Sequence, residues 1–181
     1  MKSSKTKKLI IVHGYSGAGK SWVSYEFAKE NNYAWISQDR FLFHMFPASN
    51  KTGDNTKVHH KVVIDNLKAV LSTYMDADYN IVLEGALVSI WHEDPLNPLE
   101  FVKLAKKKGY EVIAVKFSAS DRKRIARRRK RELKMPKEVD TSLKDAADAL
   151  AEKLGSKELD TTKMSKKKSL AAFTDLVFED S

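Results

Sequence analysis

Short apolar runs alternate with longer stretches of helical periodicity along this chain. The apolar runs predict four buried strands, near residues 9–12, 33–37, 81–83 and 112–117. Apolar positions spaced three and four residues apart predict helices near residues 20–30, 58–75, 99–108, 120–135 and 142–154. Strands that alternate with helices are typical of a parallel sheet with helices on both faces. The pattern therefore predicts an α/β fold.

Two parts of the chain carry a weaker pattern. Residues 38–53 mix aromatic and polar side chains, which indicates a loop after the second strand. Residues 156–168 are polar and rich in lysine, which indicates loop and helix before a last apolar piece at 176–178. No internal repeat or low-complexity linker is visible, and the chain has 181 residues, so we expect one domain over residues 1–181.

The composition favours a soluble protein from a reducing compartment. No apolar run approaches the roughly 20 residues of a membrane span, so we expect no membrane partner. The chain has 0 cysteines, which excludes disulfides and thiol chemistry and is compatible with the cytoplasm. The formal net charge of +9 favours polyanionic partners such as nucleic acids, nucleotides or phosphorylated substrates, although a need for solubility explains it equally well.

A complete phosphate-binding motif follows the first predicted strand. Residues 14–21 match the P-loop pattern G-x-x-x-x-G-K-[ST], and they lie between a strand and a helix as that motif requires. Its glycines let backbone N–H groups converge on phosphate oxygens, and the helix N-terminus adds partial positive charge. The motif predicts ATP as cofactor. The predicted contacts come from Gly14, Ser16, Gly17, Ala18, Gly19, Lys20 and Ser21.

Two side chains of this motif have separate predicted roles. We expect Lys20 to be an exposed loop residue whose charge holds the β and γ phosphates. The hydroxyl of Ser21 is a predicted ligand of Mg²⁺, which bridges those phosphates and neutralises charge during transfer. Lys20 is therefore a candidate catalytic residue as well as an ATP contact.

The remaining motifs favour a small kinase over other P-loop classes. The sequence contains neither the Asn-Lys-x-Asp segment nor the Asp-x-x-Gly switch of regulatory GTPases. A small kinase needs an acid that accepts the proton of the acceptor hydroxyl, an acid close to Mg²⁺ and an arginine-rich lid. Asp39 follows the second strand and is the predicted base, with a loop-capping role as its alternative. Glu84 ends the third strand and is the predicted second ligand of Mg²⁺.

A basic helix supplies the predicted lid, at about residues 120–140. Arg124, Arg127, Arg128 and Arg131 recur at the spacing of one helix face. Because like charges on one face repel, such a helix gains from a bound anion, and guanidinium groups suit phosphate. We predict catalytic roles for Arg124 and Arg128 and ATP binding for Arg127. A solvated basic face is the alternative.

In the order of these motifs the chain resembles the P-loop kinases grouped around polynucleotide kinase and the zeta toxins. The resemblance covers the P-loop, Asp39, the segment 79–85, the turn at Lys108 and Gly109, and the arginine helix. It implies a P-loop NTPase three-layer sandwich with a mostly parallel central sheet and a helical lid, and it implies Asp39 as general base. Polynucleotide kinases commonly carry an arginine where this chain has Leu42. Segments around Asp39 and Glu84 are also similar to uridine and nicotinamide riboside kinases.

Three functions are compatible with these residues. The first is an ATP-dependent phosphotransferase that acts on a hydroxyl acceptor, foremost the 5′-hydroxyl of a nucleic acid or nucleotide. The second is a kinase for a nucleoside, nucleotide sugar or antibiotic, and the third is an ATP-binding switch that transfers no phosphate. Phe41, Phe43 or Trp91 is a candidate stacking surface for the end base of an oligonucleotide. The sequence leaves the acceptor and the oligomeric state open.

Overall fold

The computed structural model describes residues 6–45, 57–88, 98–130 and 135–179, without the side chains of 42–45 and 57–61. Its strands are β1 (Lys8–Gly14), β2 (Ala34–Ser37), β3 (Ile81–Glu84), β4 (Glu111–Ser118) and β5 (Lys157–Asp160). Its helices are α1 (Lys20–Asn31), α2 (Gln38–Met45), α3 (Lys57–Asp76), α4 (Pro98–Lys107), α5 (Asp121–Arg129), α6 (Lys137–Leu154) and α7 (Lys166–Phe178).

The five strands form one sheet in the order β2-β3-β1-β4-β5, and every pairing in it is parallel. The central strand β1 is buried along its whole length, with Val12 opposite both Glu84 of β3 and Val115 of β4. Parallel strands place their carboxyl ends at one edge, so the residues that follow β1, β2 and β3 meet there. That edge holds the candidate site.

Helices cover both faces of the sheet and divide the core into two layers. Leu9 and Ile11 of β1 face a cluster formed with α3, α4 and α6, in which Leu67, Leu71 and Phe101 are fully buried. The alternate residues of β1 face α1 and α7, where Phe27 and Phe173 lie 5.1 Å apart as an edge-to-face pair. The period-two alternation of β1 thus builds a three-layer sandwich, which confirms the predicted P-loop NTPase fold class.

Four elements differ in kind or in bounds from the sequence-based predictions. A helix, α2, replaces the first part of the loop predicted after the second strand. Strand β5 and helix α7 occupy the polar region after residue 155; β5 escaped notice because it is an edge strand with Leu159 as its one buried side chain. Helix α6 begins at Lys137 instead of residue 142, because its first turn packs polar groups against the arginines of α5.

Within the described ranges, no helix is long and apolar enough to cross a bilayer. The end of the predicted arginine helix, including Arg131, lies outside the described residues, as do Trp91 and the side chain of Phe43.

Candidate active site

The P-loop is held tightly between β4 and α5. Gly14 has φ +117°, and a Cβ there would lie 2.3 Å from the carbonyl oxygen of Phe117. Gly17 has φ +80°, and its Cβ would lie 2.8 Å from the carbonyl oxygen of Arg124. Both positions therefore need glycine for the backbone angle and for the space, and the loop conformation depends on its neighbours.

Lys20 lies inside the loop instead of projecting from it. Its side chain is buried, with 9% of its surface exposed, which corrects the expectation of an exposed lysine. The ammonium group donates to the carbonyl oxygens of Gly14 and Tyr15 at 3.0 and 3.1 Å. These bonds hold the charge where backbone N–H groups at the start of α1 converge. Gly19, which precedes the helix, caps it with no side-chain hydrogen bond.

Ser21 and Glu84 meet across the gap between α1 and β3. The Ser21 hydroxyl donates to Glu84 Oε1 at 2.9 Å, while Glu84 Oε2 has no hydrogen-bond partner among the described residues. Burial raises the pKa of Glu84, and the charge of Asp39 adds to that shift. The charge of Lys20 and the hydroxyls of Ser21 and Ser37 oppose it. A buried carboxylate oxygen without a partner, beside a hydroxyl, is a donor set that fits Mg²⁺. Both predicted metal ligands are thus adjacent.

The segment after β3 is tied to the start of α2 by Gln38. The Gln38 side-chain oxygen accepts a hydrogen bond from the backbone N–H of Leu87 at 2.9 Å. Leu87 is fully buried at φ +53°, a conformation that costs energy for a residue other than glycine. A Cβ on Gly85 would lie 2.5 Å from the same Gln38 oxygen. The junction therefore fixes Glu84 and Asp39 relative to each other.

Asp39 lies in the first turn of α2, at the mouth of a cleft of about 410 Å³. We call this space the acceptor cleft. It is lined by Ser21, Trp22, Tyr25, Trp35, Ser37, Asp39 and Arg40. Because Ser21 also lines it, the cleft joins the predicted base to the predicted Mg²⁺ site. Phe41, a predicted stacking residue, instead packs against the core under α3.

The arginines of α5 are held by protein groups on the other side of the P-loop. Arg124 is fully buried and donates to both oxygens of Asp140, at 3.0 and 2.8 Å, and to the carbonyl oxygen of Ser16 at 3.0 Å. Arg128 donates to Asp140 at 2.6 Å. Burial opposes the charge of Asp140, but the hydrogen bonds from the two arginines outweigh it and lower its pKa to about 2. We call Arg124, Arg128 and Asp140 the arginine cluster.

Arg127 reaches the P-loop from the same helix. Its guanidinium donates to the carbonyl oxygens of Gly17 and Ala18 at 3.2 and 3.1 Å and to the hydroxyl of Thr161 at 2.9 Å. Thr161 is buried and itself donates to the Ala18 carbonyl at 2.7 Å. The carbonyl side of the loop is therefore bonded to arginines, and positive charge lies directly behind the phosphate cradle.

Sequence reasoning missed several residues that organise this site. Asp140, Thr161 and Gln38 lie in segments without a motif, and only the folded chain brings them to the loop. A further link is made by Tyr15, whose hydroxyl donates to Asp148 of α6 at 2.8 Å. Burial and that hydrogen bond raise the pKa of Tyr15 to about 12. The one available signal was that acidic residues follow the run of arginines in the sequence, and this signal did not single out Asp140.

Comparison with solved structures finds the same fold in kinases of low sequence identity. A gluconokinase from Sinorhizobium meliloti 1021 is 16% identical with a TM-score of 0.62, and the match covers 96% of this chain and 98% of that chain. A shikimate kinase from Acinetobacter baumannii in complex with shikimate is 15% identical with a TM-score of 0.64, covering 98% and 96%.

A third structure, the Pnkp1/Rnl/Hen1 RNA repair complex, is 17% identical with a TM-score of 0.63. That match covers 84% of this chain and 47% of the chain in the complex. A comparison with curated protein sequences finds no match. Residues 9–154, most of the chain, match the AAA domain family, so this chain belongs to that family and has the fold of P-loop kinases.

Proposed function

We propose that this protein is an ATP-dependent kinase that transfers the γ-phosphate to a hydroxyl, foremost the 5′-hydroxyl of a nucleic acid or nucleotide. One observation carries the proposal: Asp39 lines the same cleft as Ser21, which follows the P-loop lysine and whose hydroxyl is bonded to the buried Glu84. A metal site, a phosphate cradle and a carboxylate base at one edge are the parts that phosphoryl transfer to an alcohol requires.

Each part has a defined task in the proposed reaction. Backbone N–H groups of the loop and the Lys20 ammonium hold the β and γ phosphates of ATP, and Ser21 and Glu84 hold the metal. A Mg²⁺ ion held by Ser21 and Glu84 would neutralise negative charge on the phosphates during transfer. Asp39 accepts the acceptor's hydroxyl proton as the new oxygen–phosphorus bond forms and the bond to the ADP oxygen breaks. The products are ADP and a phosphate ester.

The arginine helix adds positive potential to this reaction. Arg127 donates hydrogen bonds to the Gly17 and Ala18 carbonyls, and Arg124 donates one to the Ser16 carbonyl. Both guanidinium charges are therefore in direct contact with the P-loop backbone. We propose that Arg124, Arg127 and Arg128 stabilise the transferring phosphoryl group from behind the loop. Their bonds to protein groups mean that the charge is positioned before ATP arrives.

The alternative is a kinase for a small metabolite. The gluconokinase and the shikimate kinase share the fold over nearly the whole chain, which supports this reading. The net charge of +9 favours the nucleic acid reading, because a polyanion gains affinity from each phosphate that the protein neutralises. An ATP-binding switch would need no base in the cleft. A requirement for Asp39 would therefore distinguish either kinase from the switch.

The test is label transfer from γ-labelled ATP to defined hydroxyl acceptors. The panel contains 5′-hydroxyl DNA and RNA oligonucleotides, nucleosides, gluconate and shikimate, each at several salt concentrations. We expect labelled oligonucleotide whose yield falls steeply from low to moderate salt. Label in nucleosides, gluconate or shikimate alone would establish the small-molecule kinase. ATP binding without label in any acceptor would favour the ATP-binding switch.

A further inference from the structure

Three aromatic rings line the acceptor cleft beside Asp39. Trp22 and Tyr25 project from α1, and Trp35 projects from β2. The indole N–H of Trp35 donates to the hydroxyl of Ser24 at 3.0 Å, which fixes the ring. Tyr25 meets Trp35 edge to face with centroids 5.2 Å apart. Tyr25 remains 44% exposed, so the aromatic surface is available to a ligand although its rings are held.

A cation accompanies each tryptophan of this surface. The Arg40 guanidinium lies 4.9 Å above the Trp35 ring centroid, and the Lys166 ammonium lies 5.0 Å from that of Trp22. Both cationic residues are exposed. Aromatic faces with adjoining cations suit a ligand that has a planar ring and an anionic group a short distance away. An uncharged or non-aromatic acceptor would use only part of this surface.

We propose that the acceptor cleft binds the first nucleotide of the acceptor, with its base on the aromatic surface and its 3′-phosphate at Arg40. The sugar's 5′-hydroxyl then reaches Asp39, which adjoins Arg40 in the chain and lines the same cleft. The volume of about 410 Å³ falls within the roughly 300–1,000 Å³ of small-molecule sites. This inference rests on the proposed kinase function for the position of the hydroxyl, but not for binding itself.

Two sources can supply this chemistry, a free nucleoside 3′-phosphate or the 5′ end of an oligonucleotide. They share the base, the 5′-hydroxyl and the first phosphate, so the cleft recognises both. An oligonucleotide has further phosphates, and Lys166, whose ammonium lies 5.0 Å from the Trp22 ring centroid, supplies a cation for them at the edge of the aromatic surface. Its affinity should therefore respond more strongly to salt than that of the mononucleotide.

The experiment measures binding in the absence of ATP, so that no phosphoryl transfer is needed. Labelled adenosine 3′-monophosphate and a labelled 5′-hydroxyl tetranucleotide are titrated by equilibrium dialysis, with a sugar 3′-phosphate that lacks a base as the control ligand. Trp35→Leu removes a stacking partner and should weaken both nucleotides about ten- to a hundredfold. Trp35→Phe keeps a ring and should recover most of the affinity. The base-free ligand should bind weakly and respond little to either change.

Arg40→Gln tests the phosphate contact at an exposed position, where folding is not at risk. We expect about tenfold weaker binding of both nucleotides and no change for adenosine, which has no phosphate. Arg122→Gln, at an exposed position of α5, is the matched control and should bind like the parent. Nucleotide binding that is unaffected by both Trp35→Leu and Arg40→Gln, or that equals binding of the base-free sugar phosphate, would overturn the inference.

Label transfer with the same variants separates this inference from the proposed function. Transfer to gluconate or shikimate with unchanged KM in Trp35→Leu would retain the kinase and reject the nucleotide cleft. Binding that depends on Trp35 and Arg40, without transfer to any acceptor, would retain the cleft and reject the kinase. Preference for the tetranucleotide at low salt identifies a nucleic acid end as the source, and equal affinity identifies a free nucleotide.

Discussion

The two flanks of the P-loop differ in how their polar groups are satisfied. On the flank of the arginine cluster, a fully buried arginine and its neighbour share one carboxylate, and the loop's carbonyl oxygens accept hydrogen bonds from guanidinium groups. On the flank of the acceptor cleft, Asp39 and Arg40 are exposed around an open space. On the first flank the terminal guanidinium nitrogens of Arg124 and Arg128 are bonded to protein before any ligand binds, whereas the second flank presents exposed groups to a ligand.

This difference matches the two tasks of the proposed kinase, phosphate binding and acceptor binding. Phosphate binding needs dipoles and charges that are already oriented, because reorganising them during transfer raises the barrier. Acceptor binding needs a surface whose composition can change without disturbing the loop. Kinases of low identity that share this fold include a gluconokinase and a shikimate kinase, so acceptors vary on one scaffold.

The largest expected effect comes from the proposed base, Asp39, on the open flank. Asp39→Asn removes the proton acceptor and should lower the rate of phosphoryl transfer by about 10² to 10⁴ while ATP affinity stays near the parent value. Single-turnover label transfer and ATP titration measure the two quantities. Asp175→Asn, at an exposed position on α7, is the control. Transfer at the parental rate would place the base elsewhere, and Glu84 would be tested next.

Lys20, between the two flanks, should have the next largest effect. Lys20→Ala removes the ammonium that is bonded to the Gly14 and Tyr15 carbonyls, so we expect transfer to fall by about 10² to 10³ or more, with weakened MgATP binding. Circular dichroism should show a retained fold. Lys29→Ala, exposed near the end of the same helix, should behave like the parent. Unchanged turnover in Lys20→Ala would remove the proposed function.

The arginine flank should respond mainly in stability. Asp140→Asn removes the carboxylate that pairs with both Arg124 and Arg128, and it leaves the buried Arg124 paired with the exposed Asp121. It should lower the free energy of unfolding by about 3 kcal/mol, measured by urea denaturation. Glu158→Gln is the matched control, because its ion pair with Lys116 is partly exposed and should contribute less than about 1 kcal/mol. Equal losses in the two variants would contradict the contrast between buried and exposed pairs.

The pairing of Asp140 with the arginines of α5 predicts that stability depends on pH. The pKa of Asp140 is about 2 in the folded protein and about 3.9 in an unfolded chain, so the stabilisation is present above about pH 4. It is lost as the pH falls from about 4 to 2, because the unfolded state then binds a proton more readily than the folded state does. The stability difference between the parent and Asp140→Asn should shrink across that window. A difference that stays constant down to pH 2 would contradict the lowered pKa.

A smaller effect is expected at the junction that orients the open flank. Gly85→Ala places a Cβ against Gln38 and should cost about 1–3 kcal/mol of stability. Transfer should fall as well, because Gln38 precedes Asp39. Gly109→Ala, with φ +77° and open space around the new Cβ, should cost stability through backbone strain alone. Loss of activity in both variants to the same extent would show that the junction does not position the base.

The parts of the site that sequence could predict are those with local patterns. The strand, glycine loop and helix around Lys20 are neighbours in the chain, and the structure places them as predicted. Asp39 and Glu84 were found because they lie at the carboxyl ends of two strands, Asp39 just after β2 and Glu84 as the last residue of β3. Their predicted roles as base and metal ligand stay predictions, as do those of the arginines. Asp140 and Gln38 carried no comparable signal, because their partners are distant in sequence.

The aromatic residues show the same division. The sequence predicted aromatic stacking at Phe41, Phe43 or Trp91, but Phe41 packs on the core and the structure instead lines the cleft with Trp22, Tyr25 and Trp35. Which side of a half-buried ring meets a cavity depends on the elements packed against it, and sequence spacing does not contain that information.

The sequence by itself determined the class of fold and the phosphate loop, because apolar periodicity, glycine and helix-start chemistry act between residues that are close along the chain. Tertiary structure alone decided that Lys20 is buried, that Asp140 holds the arginines, and that a cleft lined by tryptophan opens beside Asp39. Those features arise from side chains that meet across the sheet edge. Their energies depend on burial and on partners, which exist only once the strands have aligned.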